Sequence, residues 1–198
     1  DNKNEIPPTE ELTGLIEDVD IYYDEHLIPH VFAQNDHDLF YAVGYLNAKH
    51  RLWQMEIQAM NAAGRLSEII GPNTLRHDRL QRRMGILQSA MEMEKQWMQH
   101  PEIAPMLDAY TRGVNDYIDK LKYKDLPIEY KLLDYSPEPW NPLKTILVAK
   151  NMSALLTLGE SDLENTNFAH IYGMELFDFL FPVREEGIDP VIPAGTKW

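Results

Sequence analysis

The chain has no cysteine among its 198 residues. That excludes a disulfide framework, a thiolate metal site and a cysteine nucleophile, and it leaves the compartment open. No run of about 18 apolar residues exists, so nothing reads as a membrane span. Stretches such as Ile146–Ala149 and Leu176–Leu180 are too short. Positive charge is scarce. Eighteen Lys and Arg face 32 Asp and Glu, for a net charge of −14. Such a chain repels phosphate backbones and anionic membrane surfaces, so neither is an expected partner. The usual catalytic signatures are missing too: no Gly-rich phosphate loop, no His-Glu-x-x-His and no Gly-x-Ser-x-Gly. The histidines are scattered. His26 and His30 stand four apart, but Pro29 keeps them off a shared helix face, and His50 lies in an apolar stripe and reads as a core residue. Ser67, Ser89, Ser136, Ser153 and Ser161 have no neighbouring base. Local spacing therefore assembles no nucleophile, base and orienting group, which leaves open a set brought together by folding.

What is present is a core-forming composition, 44% hydrophobic and 25% charged, consistent with a single domain. Its opening at Asp1 without a Met fits a processed N-terminus or a trimmed sequence. Residues 1–17 read as a polar tail carrying Pro7-Pro8. Residues 18–34 read as a hairpin. Val19, Ile21 and Tyr23 alternate with polar positions, Asp24-Glu25-His26 turns the chain, and Ile28–Ala33 returns, with Pro29 marking an edge or a bulge. Residues 38–180 form the helical region. Leu39, Val43, Leu46, Trp53, Ile57 and Met60 predict a helix of about six turns, capped by Asp36 or Asp38 and ended by Gly64. Ile103, Leu107, Tyr110, Val114, Tyr117 and Leu121 predict a second helix, with Pro105 in its first turn. Weaker patterns place helices over 86–99, 143–156 and 165–180. Pro137, Pro139 and Pro142 make 134–142 an extended connector, and 181–198 an extended tail. A lone two-stranded hairpin is marginal in water, so these strands are expected to join a sheet supplied by another chain.

Two segments carry possible chemistry. Gly159-Glu160-Ser161-Asp162-Leu163-Glu164-Asn165 gathers oxygen donors of the kind Ca²⁺ prefers, without EF-hand spacing, and by composition alone reads first as a solvated loop with helix N-caps. Met152, Leu155 and Leu156 end a helix with an apolar strip, either core or the wall of a pocket for apolar ligands.

The run Tyr23-Asp24-Glu25-His26-Leu27-Ile28-Pro29-His30-Val31-Phe32-Ala33 resembles the opening hairpin of the penicillin amidase family. Several later segments resemble that family too: Leu39–Tyr45, Arg51-Leu52-Trp53-Gln54-Met55-Glu56, Gly64-Arg65-Leu66-Ser67-Glu68, Gly113-Val114-Asn115 and Pro137-Glu138-Pro139-Trp140-Asn141-Pro142. The resemblance implies an α+β fold: a mostly helical small subunit that lends its hairpin to a four-layer αββα N-terminal-nucleophile hydrolase core shared with a second chain. It implies a bacterial periplasmic or secreted precursor cut into two chains. The large subunit's N-terminal Ser would cleave the amide of a small N-acylated amine such as a penicillin, with no organic cofactor. It places a structural calcium ligand at Asp162, where the family usually has Glu, with Glu160 or Glu164 as substitutes. Acyl-pocket positions fall on Met152, Leu155 and Leu156; aromatic-acid-specific members carry Arg and Phe at the last two. The alternatives are an acyl-homoserine-lactone or lipopeptide acylase on the same scaffold and, outside enzymes, a helical binding or scaffold module.

Overall fold

Asn35 starts the longest element of the protein. In the computed structural model, which describes residues 9–157 and 161–182 together with Gly195, the Asn35 side chain accepts the Asp38 N–H at 2.9 Å and caps helix α1 (Asp36–Ala63). The cap is thus Asn35 rather than Asp36 or Asp38. Asp38 has a different task. Its buried carboxylate accepts the backbone N–H groups of Ile16 and Glu17 at 2.8 and 2.9 Å and the Asn35 amide at 2.7 Å, which pins the preceding segment against the helix. Burial pushes the Asp38 pKa up, but the hydrogen bonds from Ile16, Asn35, His37 and Glu17 outweigh it and hold the group at about 2. The helix ends at Gly64, whose φ of 64° is the left-handed conformation of a C-terminal cap.

The hairpin forms as expected. Strands β1 (Asp20–Tyr23) and β2 (Pro29–Phe32) pair antiparallel, with Ile21 opposite Val31 and Tyr23 opposite Pro29. Pro29 is the first residue of its strand, where a missing N–H is tolerated. The Asp24 carboxylate closes the turn by accepting the His26 and Ile28 N–H groups, each at 2.9 Å. Ile21 and Tyr23 are half-buried. Tyr22 and Phe32 meet edge to face on the exposed side. The Tyr23 hydroxyl lies 3.2 Å from His50 Nε2, so that half-buried histidine has a partner. Burial, with Lys49 and Arg51 nearby, holds His50 below its ordinary pKa. Arg51 leaves helical geometry at φ −143°, kinking α1 beside this contact, and its guanidinium donates to the His50 carbonyl at 2.8 Å.

The remaining helices are α2 (Ser67–Ile70), α3 (Leu75–Met84), α4 (Ile86–Trp97), α5 (Ile103–Lys120), α6 (Ile128–Leu132), α7 (Pro142–Thr157), α8 (Asp162–Tyr172) and α9 (Met174–Leu180). Helix α3 had no apolar stripe to announce it. The single helix expected over 165–180 is two helices, because Gly173 adopts φ 87° between them.

α1 and α5 cross backbone to backbone. A Cβ on Gly44 would stand 2.2 Å from the Tyr110 carbonyl oxygen, and one on Gly113 would stand 2.0 Å from the Tyr41 carbonyl oxygen. Each helix thus gives up one side chain where the other passes. The fully buried stripe of α1 includes Asp38, Tyr41, Tyr45, Ala48, Leu52, Glu56, Ala59 and Ala63, whereas the expected stripe members Leu39, Val43, Trp53 and Ile57 are half-buried. Ala48, Leu52 and Ala59 pack with Val114, Tyr130 and Trp140. Ala62 and Ala63 pack with Ile86, Ala90, Ile146 and Leu147.

By contacts the chain divides into two units, Asp1–Ala154 and Leu155–Trp198. The first contains the hairpin and both core clusters. In the second, Phe168 gathers Tyr172, Phe177 and Phe181 at centroid distances of 4.8, 6.3 and 5.6 Å, yet none of its described residues is buried.

Two substitutions probe these features. Gly113→Ala should destabilise the protein by about 3 kcal/mol or more, since backbone cannot move aside for a methyl group. Thermal unfolding beside the exposed control Gln88→Ala measures it, and equal melting temperatures would contradict the close crossing. Asp38→Asn should cost about 1–3 kcal/mol at neutral pH. Because the folded Asp38 pKa is depressed to about 2, its stabilisation is present above the ordinary carboxylate pKa of about 3.9 and fades as pH falls through the folded value. Denaturant unfolding across that window should show the gap between wild type and variant closing.

Candidate functional site

Helix α7 carries the strip at Met152, Leu155 and Leu156, so whatever orients α7 decides what that strip faces. The Pro-rich connector delivers the chain to α7 in an extended form. Asn115 on α5 fixes the connector by pairing with both backbone groups of Trp140: its side-chain oxygen accepts the Trp140 N–H at 2.7 Å and its amide donates to the Trp140 carbonyl at 3.0 Å. The Trp140 indole N–H donates to Thr145 Oγ1 at 2.9 Å. Asn141 then caps α7 by accepting the Lys144 N–H at 3.0 Å.

Beneath this lies a buried ionic network. Glu56 on α1 is 1% exposed and Lys144 on α7 is 6% exposed. Glu56 accepts from the hydroxyls of Tyr130 and Tyr135 at 2.6 and 3.3 Å, from the Glu138 N–H at 3.0 Å and from Lys144 Nζ at 3.3 Å. Lys144 also meets the Glu138 carboxylate at 3.1 Å, and Arg65 reaches Glu138 at 2.8 Å and Glu68 at 2.7 Å. The Arg65 hydrogen bonds hold the Glu138 carboxyl below its ordinary pKa against the opposing effect of burial. Burial, reinforced by the Glu56 charge, pushes the Tyr130 hydroxyl far up, so it stays a proton donor. Both Glu56 oxygens are engaged, Oε1 by three donors and Oε2 by the Tyr130 hydroxyl, so the network reads as structural. It ties α1, α6, the connector and α7 together. Sequence reasoning missed it, and the signal was an acid within an apolar stripe: Glu56 stands four residues from both Leu52 and Met60.

Further along α7, the Asn151 amide donates to Gln58 at 2.8 Å and its oxygen accepts from Asn61 at 3.2 Å. The next residue, Met152, is 53% exposed, and Leu155 and Leu156 are 63% and 78% exposed. They stand three and four residues beyond Met152 on α7 and are not core in this chain. The boundary between the two units falls after Ala154, so Met152 belongs to the first and both leucines to the second.

Asp162 is the first residue of α8, with Glu164 in the same turn, and both are exposed. Carboxylates there complement the positive end of the helix. Glu160 lies outside the described residues. Among the described residues no three His, Asp or Glu gather in a group able to hold a metal. The oxygen chemistry of Asp162 and Glu164 suits Ca²⁺, but two carboxylates do not fill its shell of about six to eight ligands.

The model of the family described as penicillin amidase matches residues 18–191. The chain belongs to the penicillin amidase family. It is 35% identical over 150 residues to a penicillin acylase 2 proenzyme from Pseudomonas sp. (strain SE83), covering 73% of this chain and 18% of that protein. It is 32% identical over 187 residues to the acyl-homoserine lactone acylase QuiP of Pseudomonas aeruginosa, covering 89% of this chain and 21% of that protein. The chain thus spans about a fifth of the length of these relatives. A chain of a solved thermostable penicillin G acylase from Alcaligenes faecalis shares the fold with a TM-score of 0.72 at 22% identity, over 92% of this chain and all of that one. The mostly helical architecture is therefore that of a known member of the penicillin amidase family.

The network gives a prediction for this member. Lys144→Ala leaves the Glu56 carboxylate buried without its cation and should cost about 3–5 kcal/mol. Glu56→Gln combined with Lys144→Met, which removes the buried charge but keeps an acceptor for the tyrosine hydroxyls, should recover much of that loss. Equilibrium unfolding of the three proteins checks it, and a double variant as unstable as Lys144→Ala would contradict the assigned pairing.

Proposed function

We propose that this chain is the subunit without the nucleophile in a two-chain amide hydrolase of the penicillin amidase family. The observation that carries the reading is one of coverage. The chain aligns with only about a fifth of a relative named as a proenzyme, yet covers the whole of one chain in the solved acylase. A long precursor that ends as separate chains accounts for both. The exposed apolar surface supports it: Tyr22, Leu27, Ile28 and Phe32 on the hairpin, and Leu163, Ile171, Phe179 and Phe181 around α8 and α9. In this reading the hairpin completes a shared αββα core, and the interface exceeds the roughly 2,000 Å² of ordinary complexes.

The chemistry belongs to the partner chain. Its N-terminal Ser attacks the amide carbon of an N-acylated amine while the neutral α-amino group, with a pKa of about 7.7–8.0, takes the hydroxyl proton. The C–N bond breaks, the amine leaves with that proton, and water hydrolyses the acyl ester to the carboxylic acid. This chain's part is to hold α7 so that Met152 and Leu156 face the acyl group, with Leu155 at the mouth of the pocket. Asp162, with Glu160 or Glu164, supplies one or two oxygens to a structural Ca²⁺ whose remaining ligands come from the partner. The mature enzyme works in the periplasm or outside the cell. No helix among the described residues is long and apolar enough to cross a membrane.

The two leucines favour flexible aliphatic acyl groups, and one relative, aligned over 89% of this chain, is named as an acyl-homoserine lactone acylase. A linear chain gains about 0.8 kcal/mol for each CH₂ it buries. The two-chain enzyme should therefore handle hexanoyl, octanoyl and decanoyl amides of one chromogenic amine at least as well as the phenylacetyl amide. Leu156→Phe should shift kcat/KM toward phenylacetyl by about tenfold or less. A strong phenylacetyl preference that this substitution leaves unchanged would remove Leu156 from the pocket. Asp162→Ala should lower precursor maturation or the melting temperature while sparing kcat of the matured enzyme. Elemental analysis finding no calcium in active protein would refute the metal role.

A further inference from the structure

Half of the chain's eight arginines fall within the ten residues of α3: Arg76, Arg79, Arg82 and Arg83. None of the four has a carboxylate of the described residues within ion-pair distance, although the chain carries 32 acidic side chains. Arginines three and four apart on a helix repel one another. The helix dipole accounts for Arg82 and Arg83 in the last turn, but it disfavours Arg76 in the first. The cluster is therefore costly to this chain as it stands.

The same helix borders two crevices that meet at Arg83. One, of about 410 Å³, is walled by Leu75, Arg79, Arg82 and Arg83 above Gly64 and Ser67. The other, of about 460 Å³, is walled by Asn73, Arg76, His77, Leu80 and Arg83. Two acids border the first crevice and both are already engaged. Asp78 is buried, accepts the Leu66 and Ser67 N–H groups at 3.0 and 2.7 Å, and is held below its ordinary pKa against the effect of its burial. Glu68 is held by Arg65. The Arg82 Nε–H donates to the Gly64 carbonyl at 3.1 Å, which anchors its guanidinium beside the first crevice.

We infer that the two crevices along α3 form an anion-binding site for an organic ligand carrying at least two carboxylate or phosphate groups, one per crevice, with Arg83 shared between them. Guanidinium forks match both kinds of oxyanion. Leu75 and Leu80 give each crevice an apolar wall for the carbon skeleton. A bound polyanion relieves the repulsion among the four arginines and so stabilises α3. The site is independent of the amide-hydrolase reading, because it uses no residue assigned to acyl binding or to calcium.

The test uses the two-chain enzyme matured from its full precursor. Citrate, the trianionic probe, should raise the melting temperature and bind measurably by calorimetry, with affinity falling as salt rises. Arg83→Ala should weaken citrate binding about tenfold or more. Arg83→Lys, which keeps the charge and the fold but loses the fork, should weaken it less. The exposed Arg112→Ala should leave it unchanged. Amide hydrolysis measured without citrate should be the same in wild type and Arg83→Ala, so this idea and the enzymatic reading fail separately. Sedimentation with phosphatidylcholine vesicles, with and without phosphatidylglycerol, separates the sources. Where citrate binds, capture that also depends on phosphatidylglycerol and on Arg83 assigns lipid headgroups, one in each crevice, and citrate binding without capture assigns a soluble anion; either outcome supports the site. Absence of citrate binding, or equal binding by wild type and Arg83→Ala, overturns it.

Discussion

A carboxylate in the middle of a buried helix face must be met by donors, and Glu56 draws its donors from every segment between α6 and the start of α7. Isolated, the charge would cost several kcal/mol to bury. Here two tyrosine hydroxyls, one backbone N–H and one ammonium answer it. The net contribution of such a set to stability is small, because desolvation offsets most of the attraction. Its effect on geometry is larger. Four donors converge only if α1, the connector and α7 stand in one arrangement, and any slip of α7 leaves a buried charge unpaired. The placement of α7 through Met152 within the first unit depends on that constraint.

The glycine crossing of α1 and α5 works from the other side. It brings two backbones together where no side chain fits, which places Asn115 close enough to pair with both backbone groups of Trp140. Dispersion holds the crossing, and polar contacts set the register of the connector and of α7. The contrast with the second unit is sharp. There the aromatic cluster around Phe168 packs within itself, and apolar side chains on α8 and α9 remain exposed. This exposed apolar surface is what the second chain proposed above would cover.

Much of the fold was legible in residue patterns. Alternation at Ile21 and Tyr23 marked the hairpin, Gly64 marked the end of α1, and the three prolines after Asp134 marked the connector. The misreadings have physical causes. Asn35 outcompeted the two aspartates as cap because the Asp38 carboxylate was needed by the backbone of Ile16 and Glu17. The α1 stripe was displaced because its buried face holds alanines, tyrosines and two acids, which an apolar count passes over. Gly173 broke a helix that periodicity carried straight through. Helix α3 escaped notice because its residues answer to charge and to Asp78 rather than to a core.

By itself the sequence determined the hairpin, helices α1 and α5 and the extended connector, and through its motifs in order the membership of the penicillin amidase family, because these depend on residues near one another in the chain. Tertiary structure alone decided the rest. Glu56 and Lys144 are 88 residues apart, and no local pattern says that a lysine in α7 meets an acid in α1. Met152, Leu155 and Leu156 fit a core or an open face equally well as a sequence. In the folded chain all three side chains are exposed, and Met152 follows an Asn151 bound to Gln58 and Asn61. Periodicity reports which residues share a face, and what that face meets is set by contacts between distant parts of the chain.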